Sequence, residues 1–113
     1  MVRPIRVEIR EEVSGEDLTL AIEGELDLGS VPVLAQHIEA RIGSGEQKAV
    51  TLDLSDVTFM DSSGLRMLIE LDGRARREAW RLSLVAPKHE AARLVLRMTG
   101  ADSALPFASQ PES

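Results

Sequence analysis

Cysteine is absent from the 113 residues. Disulfides, thiolate metal sites and a cysteine nucleophile are therefore excluded. A cytoplasmic setting is the expectation that fits. Tyrosine is also absent, and aromatic residues make up only 3% of the chain, so there is no platform on which bases could stack. Lysine occurs only at Lys48 and Lys88, and no G-x-x-x-x-G-K-[ST] loop is present to cradle phosphate. No apolar run approaches the roughly 20 residues needed to span a bilayer. Residues 1–10 alternate charged with single apolar residues, which is not a signal-peptide core.

The balance of charge is −6, with a pI of about 4.9. Nucleic-acid binding neutralises phosphates with Lys and Arg, so no direct nucleic-acid partner is expected. A neutral or basic protein partner fits the charge better. What the chain does have is ordinary globular composition, 43% apolar and 28% charged. Its length predicts one domain around one core.

Residues 5–13 alternate, with Ile5, Val7, Ile9 and Val13 set against Arg6, Glu8 and Arg10. This is the period of a half-buried strand. Ser14-Gly15-Glu16-Asp17 is a turn, and Leu18, Leu20 and Ile22 alternate again, which predicts a β-hairpin. A helix over 30–43 follows, N-capped by Ser30, with Val31, Leu34, Ala35, Ile38 and Ile42 as its apolar face. Residues 48–54 read as a strand, followed by a connector over 55–60. A second helix over 62–78 is expected to bury Leu65, Leu68, Ile69, Asp72, Ala75 and Ala79. It sets Arg66, Glu70, Arg74 and Arg77 on the other side, with Glu70–Arg74 as an i,i+4 pair. Asp72 is anomalous on that stripe. Leu82, Leu84 and Val85 form another strand. A third helix over 88–98 shows Ala91, Leu94, Val95 and Met98 as its stripe, and Thr99-Gly100 stops it. Residues 105–107 offer a last short edge strand. The order β-β-α-β-α-β-α(-β) predicts an α/β fold, a four- to five-stranded mixed sheet with helices packed on it.

The chemistry concentrates at Asp61-Ser62-Ser63-Gly64, where strand and connector meet a helix N-terminus. Asp61 or Ser62 can cap that end. Gly64 removes a side chain near the turn, so that another backbone or a protein surface can approach. A phosphate on a serine here would be tolerated by the helix terminus but not by a docked protein surface. Taken as four residues alone, the segment is also an ordinary cap and turn. For a serine hydrolase, Met60-Asp61-Ser62-Ser63-Gly64 lacks the first glycine of a G-x-S-x-G elbow. Only His37 and His89 could serve it as base. An acidic metal site at Asp53, Asp56 and Asp61 has no further ligands to complete an oxygen shell. No cofactor, no metal and no enzymatic activity are expected.

The run Val50-Thr51-Leu52-Asp53-Leu54-Ser55-Asp56-Val57-Thr58-Phe59-Met60-Asp61-Ser62-Ser63-Gly64-Leu65 resembles the signature segment of the STAS family, in particular the bacterial anti-sigma factor antagonists. Gly24-Glu25-Leu26-Asp27, Val85-Ala86-Pro87 and Leu96-Arg97-Met98-Thr99-Gly100 resemble its flanking blocks. The likeness runs in order over about residues 5–107, implying a STAS-like domain over 1–107 and a polar, frayed tail over 108–113. The resemblance implies partner switching. The antagonist binds an anti-sigma factor that is also a serine-protein kinase and so regulates transcription. Phosphorylation of the first serine, here Ser62 (with Ser63 as the alternative), ends the binding, and a serine phosphatase restores it. The ATP belongs to the kinase. The implied contact set is Asp27, Ser30, Asp61, Ser62, Ser63, Gly64, Arg66 and Met67, with Met67 expected on the exposed side of its helix. STAS proteins also serve as adaptors in lipid-transport ABC systems and as subunits of stress-signalling assemblies. That is the rival implication. Membrane-anchored transporter tails would need a span that the sequence does not show.

Overall fold

A computed structural model of the chain describes residues 7–43 and 45–108. The expected hairpin forms from β1 (Val7–Ser14) and β2 (Asp17–Leu26), antiparallel, with Ser14 opposite Asp17. Ile5 and Arg6 of the expected first strand lie outside the described residues. Helix α1 (Val31–Ile42) then leads to β3 (Ala49–Met60), α2 (Ser62–Glu78) to β4 (Arg81–Val85), and α3 (Glu90–Thr99) to a short α4 (Ala101–Ala104). The strands lie side by side in chain order, β1-β2-β3-β4, and β2, β3 and β4 run parallel. The sheet is therefore mixed, with the hairpin at one edge. A last strand at 105–107 reduces to a single parallel bridge between Leu84 and Phe107. The Ala108 N–H still donates to the Leu84 carbonyl at 2.8 Å, and the rest of the expected tail lies outside the described residues.

The core is aliphatic. Leu18, Leu20, Ile22 and Leu26 of β2 and Val50, Leu52 and Leu54 of β3 are almost wholly buried, as is Leu84 of β4. Leu34, Ile38 and Ile42 of α1 and Leu65, Leu68, Leu71 and Ala75 of α2 belong to the same cluster.

The connector expected over 55–60 is instead strand. Its pairing explains why alternation failed there. From Ala21 to Glu23 on β2, the partners on β3 advance from Asp53 to Asp56. From Gly24 to Glu25 they advance from Val57 to Phe59. At each place β3 carries one extra residue, a bulge, which throws the period-two pattern out of phase. Val57 and Met60 thus return to the core three residues apart. Gly24, at the second irregularity, has φ +117°, open to glycine alone at little cost.

Two helices are rotated from their expected faces. α2 buries Gly64, Met67 and Leu71 beside Leu65, Leu68 and Ala75, while Ile69 is about half exposed. Ala79 leaves the stripe to form the C-cap in the left-handed conformation. Asp72 sits at the edge of the buried face, where its carboxylate meets Arg76 at 3.1 Å. Arg74 does not pair with Glu70. Its guanidinium bonds Glu39 of α1 and, at 2.7 Å, Glu78 of its own helix. α3 buries Ala92 and Leu96, and the expected stripe of Ala91, Leu94 and Met98 faces outward, with Val95 half-buried. α3 begins at Glu90, with Lys88 and His89 ahead of it.

Candidate functional site

Two adjacent parallel strands end together, with Leu26 in register with Met60. The Asp61 N–H donates to the Leu26 carbonyl at 3.1 Å, which ties the two outgoing loops at their roots. The carboxyl ends of parallel strands are where α/β sheets present their sites.

The first loop is built by Asp27. Its Oδ1 accepts from the N–H groups of Gly29 and Ser30, each at 3.0 Å, and its carbonyl accepts from Val31. Asp27 therefore bonds the backbone ahead of α1, as short acidic side chains do. Ser30 holds the N-cap position but makes no side-chain cap. Its hydroxyl turns inward, donating to the Glu25 carbonyl at 2.6 Å and accepting from the Asp27 N–H at 3.0 Å. At 2% exposure it is the one buried polar side chain among the described residues. Ser30 is thus a staple beneath the loop rather than a surface for contact. Leu28, by contrast, is pushed outward to 76% exposure.

The second loop is capped by Asp61, not Ser62. Asp61 Oδ1 accepts from the Ser63 N–H at 2.8 Å and more weakly from Gly64 at 3.4 Å. This leaves Ser62 exposed on the first turn of α2, with Ser63 half-buried beside it. Gly64 serves the interior. A Cβ there would lie 2.8 Å from Met60 Cγ and 3.0 Å from Leu26 Cβ. The missing side chain lets α2 sit on the strand ends, so of the two expected uses, a close backbone or a close protein surface, the structure shows the first: Gly64 faces the Leu26 backbone and side chain.

Between the two loops and the first turns of α1 and α2 lies a groove of about 420 Å³. Leu28, Val31, Ala35 and Met67 form its apolar part, and Ser62, Ser63, Arg66 and Glu70 its polar part. Met67 is 7% exposed, so it is the floor of this groove and not a projecting contact. The structure brings Ser62, Ser63, Arg66 and Met67 together around one depression, with Asp27 and Asp61 shaping its loops. Sequence reasoning pointed to the Asp27–Ser30 loop without singling out Leu28, and read Val31 and Ala35 only as core. Leu28 did leave a signal: a large aliphatic residue inside an Asp-Leu-Gly-Ser turn belongs to no buried period. The groove continues along the helices past Met67 and Glu70 toward Leu71 and Arg74.

The other candidates do not converge. Asp53 turns onto the Ser55 N–H at 3.0 Å and Asp61 caps α2. His37 pairs with Glu11 at 2.8 Å, and His89 is exposed ahead of α3. No group of His, Asp or Glu able to hold a metal is found among the described residues, and no helix among them is long and apolar enough to cross a membrane.

The fold that carries this site has relatives. The model of the family described as "Mlab, STAS domain" matches residues 9–106. The chain belongs to the STAS domain family. Among solved structures, this STAS domain is similar to an anti-sigma factor antagonist from Mycobacterium paratuberculosis, at 25% identity and a TM-score of 0.80, covering 97% of this chain and 92% of that one. It is also similar to the anti-sigma factor antagonist SpoIIAA in its unphosphorylated form, at 24% identity and a TM-score of 0.72, covering 91% and 90%. The phosphorylated form of SpoIIAA, from Bacillus, aligns at 24% identity with a TM-score of 0.67, covering 91% and 93%. The likeness to SpoIIAA is one of fold. No curated protein matches the chain in sequence.

Proposed function

We propose that this STAS domain is an anti-sigma factor antagonist whose docking surface is the groove and whose switch is Ser62. The observation that carries the reading is the contrast between neighbouring serines. Ser62 stands exposed on the groove rim while Asp61 fixes the backbone beneath it and Ser63 is half-buried. A charge added at Ser62 changes the surface and leaves the core alone. The partner is a kinase-type anti-sigma factor. It moves the terminal phosphoryl group of its ATP to Ser62 Oγ, releasing ADP and a proton, and the phosphorylated antagonist is let go. A serine phosphatase returns the hydroxyl. The antagonist performs no catalysis.

The test is binding of the purified kinase-type anti-sigma factor to wild type, Ser62→Ala and Ser62→Asp by calorimetry, with phosphorylation followed by mass spectrometry. Wild type and Ser62→Ala bind, Ser62→Ala accepts no phosphate, and Ser62→Asp binds at least about tenfold more weakly, since an unpaired charge pressed into an interface costs roughly 2 kcal/mol or more. Equal affinity for all three would overturn the switch and leave a STAS adaptor or assembly subunit. Phosphate on Ser62→Ala would move the site to Ser63.

A further inference from the structure

We infer that Arg66 is the positioning residue for the phosphoryl group on Ser62, folding back one turn to pair with it and hold it over the groove. The inference rests on the reading of Ser62 as the switch. Ser62 and Arg66 are four residues apart on α2 and line the same groove. That spacing places them on one helix face, and helical side chains lean toward the N-terminus, so the Arg66 side chain reaches back to Ser62. Arg66 is also free to do so. Arg41, Arg74, Arg76 and Arg97 each hold a carboxylate. Arg66 is exposed and, among the described residues, holds none, not even Glu70 one turn on.

The local charges make this pairing consequential. Glu70 on α2 lines the groove, Asp27 and Asp61 lie on the two loops, and α1 contributes only the uncharged Val31 and Ala35. Asp61, the cap residue next to the modified serine, disfavours a phosphate dianion there. Arg66 is the one cation lining the groove at its serine end. Its planar fork matches two phosphate oxygens at once. The paired groups then fill the mouth of the groove between Leu28 and Met67. On this account phosphorylation blocks the partner by occupancy as well as charge.

The experiment uses the full chain with phosphoserine installed at position 62 during expression, so that no kinase is needed. Phosphorus NMR follows the second ionisation of the phosphoryl group in about 0.15 M salt, where charges beyond roughly 8 Å are screened. Arg66→Ala raises that pKa by about half a unit or more, as loss of a cation in contact requires. Arg66→Lys, which keeps the charge, stays nearer wild type, and Arg77→Ala, at the far end of α2, leaves the value unchanged. Equal values in wild type and Arg66→Ala would overturn the pairing. So would an equal rise in Arg77→Ala, which would show a diffuse charge effect. Failure of the parent reading looks different: phosphoserine at 62 would leave partner affinity unchanged whatever the titration shows.

Discussion

Ser30 shows how little surface a decisive residue needs. Its hydroxyl satisfies a donor at Asp27 and an acceptor at Glu25, so both loop ends depend on one buried oxygen. Ser30→Ala leaves the Asp27 N–H without that partner and is expected to cost about 1–3 kcal/mol, measured by urea denaturation, with partner binding weakened through the loop. Gly64→Ala acts by crowding. The new Cβ would press on Met60 and Leu26, and overpacking of this kind costs roughly 1–3 kcal/mol. A stable Gly64→Ala protein with wild-type melting would show that α2 can lift without penalty. At this scale the sequence narrowed the cap of α2 to Asp61 or Ser62, because short polar residues before an apolar helical run are the usual caps, and the structure chooses Asp61. The sequence was not readable for Ser30, whose bond to a carbonyl five residues upstream depends on how the strand end turns. Nor was it readable for Gly64, whose neighbours come from β2 and the end of β3.

The same division holds for elements. The type and order of every long element followed from periodicity, but the faces of α2 and α3 did not. Both helices carry apolar residues around more than half their circumference, so the stripe is chosen by what lies beneath. For α2 the choice is made by Gly64 over Leu26 and Met60, and for α3 by Ala92 and Leu96 on the core. Leu96→Ala should therefore cost about 2–5 kcal/mol, whereas Met98→Ala, at a position 76% exposed, should stay within about 0.5 kcal/mol of wild type. The reverse ranking in denaturation would restore the face read from sequence.

Charge acts within α2 as well, where Arg74 pairs with Glu78 one turn on. The hydrogen bond from Arg74, followed by one from the Trp80 indole, holds the Glu78 carboxyl below the usual carboxylate range. A carboxylate with a lowered folded-state pKa contributes stability above its unfolded pKa and loses it as pH falls through the folded value. Thermal melts of wild type and Arg74→Ala should thus differ most at neutral pH and converge as the Glu78 carboxylate is protonated in acid. A gap that stays constant with pH would mean that Arg74 acts through packing alone.

For the whole molecule, the strand order is what would let these parts act as the proposed switch. Chain-order strands joined by two helical crossovers bring the exits of β2 and β3 side by side, and the Leu26–Asp61 hydrogen bond fixes them. The groove and Ser62 thus belong to one edge of the sheet, and the core lies behind it. Binding and folding should consequently respond in opposite directions to negative charge at Ser62. A carboxylate on the first turn of a helix is stabilising by about 0.3–1 kcal/mol, so Ser62→Asp should melt at or slightly above the wild-type temperature while losing affinity for the anti-sigma factor. The aspartate is shorter than a phosphoserine and carries one charge, so it cannot draw Arg66 over the groove to the same extent. Phosphoserine at 62 should therefore weaken binding more than Ser62→Asp does, and Arg66→Ala should narrow that difference. Calorimetry on the four proteins decides it. A Ser62→Asp protein that loses binding and unfolds early would instead mean that the serine supports the fold, and that the loss of affinity reports damage rather than switching.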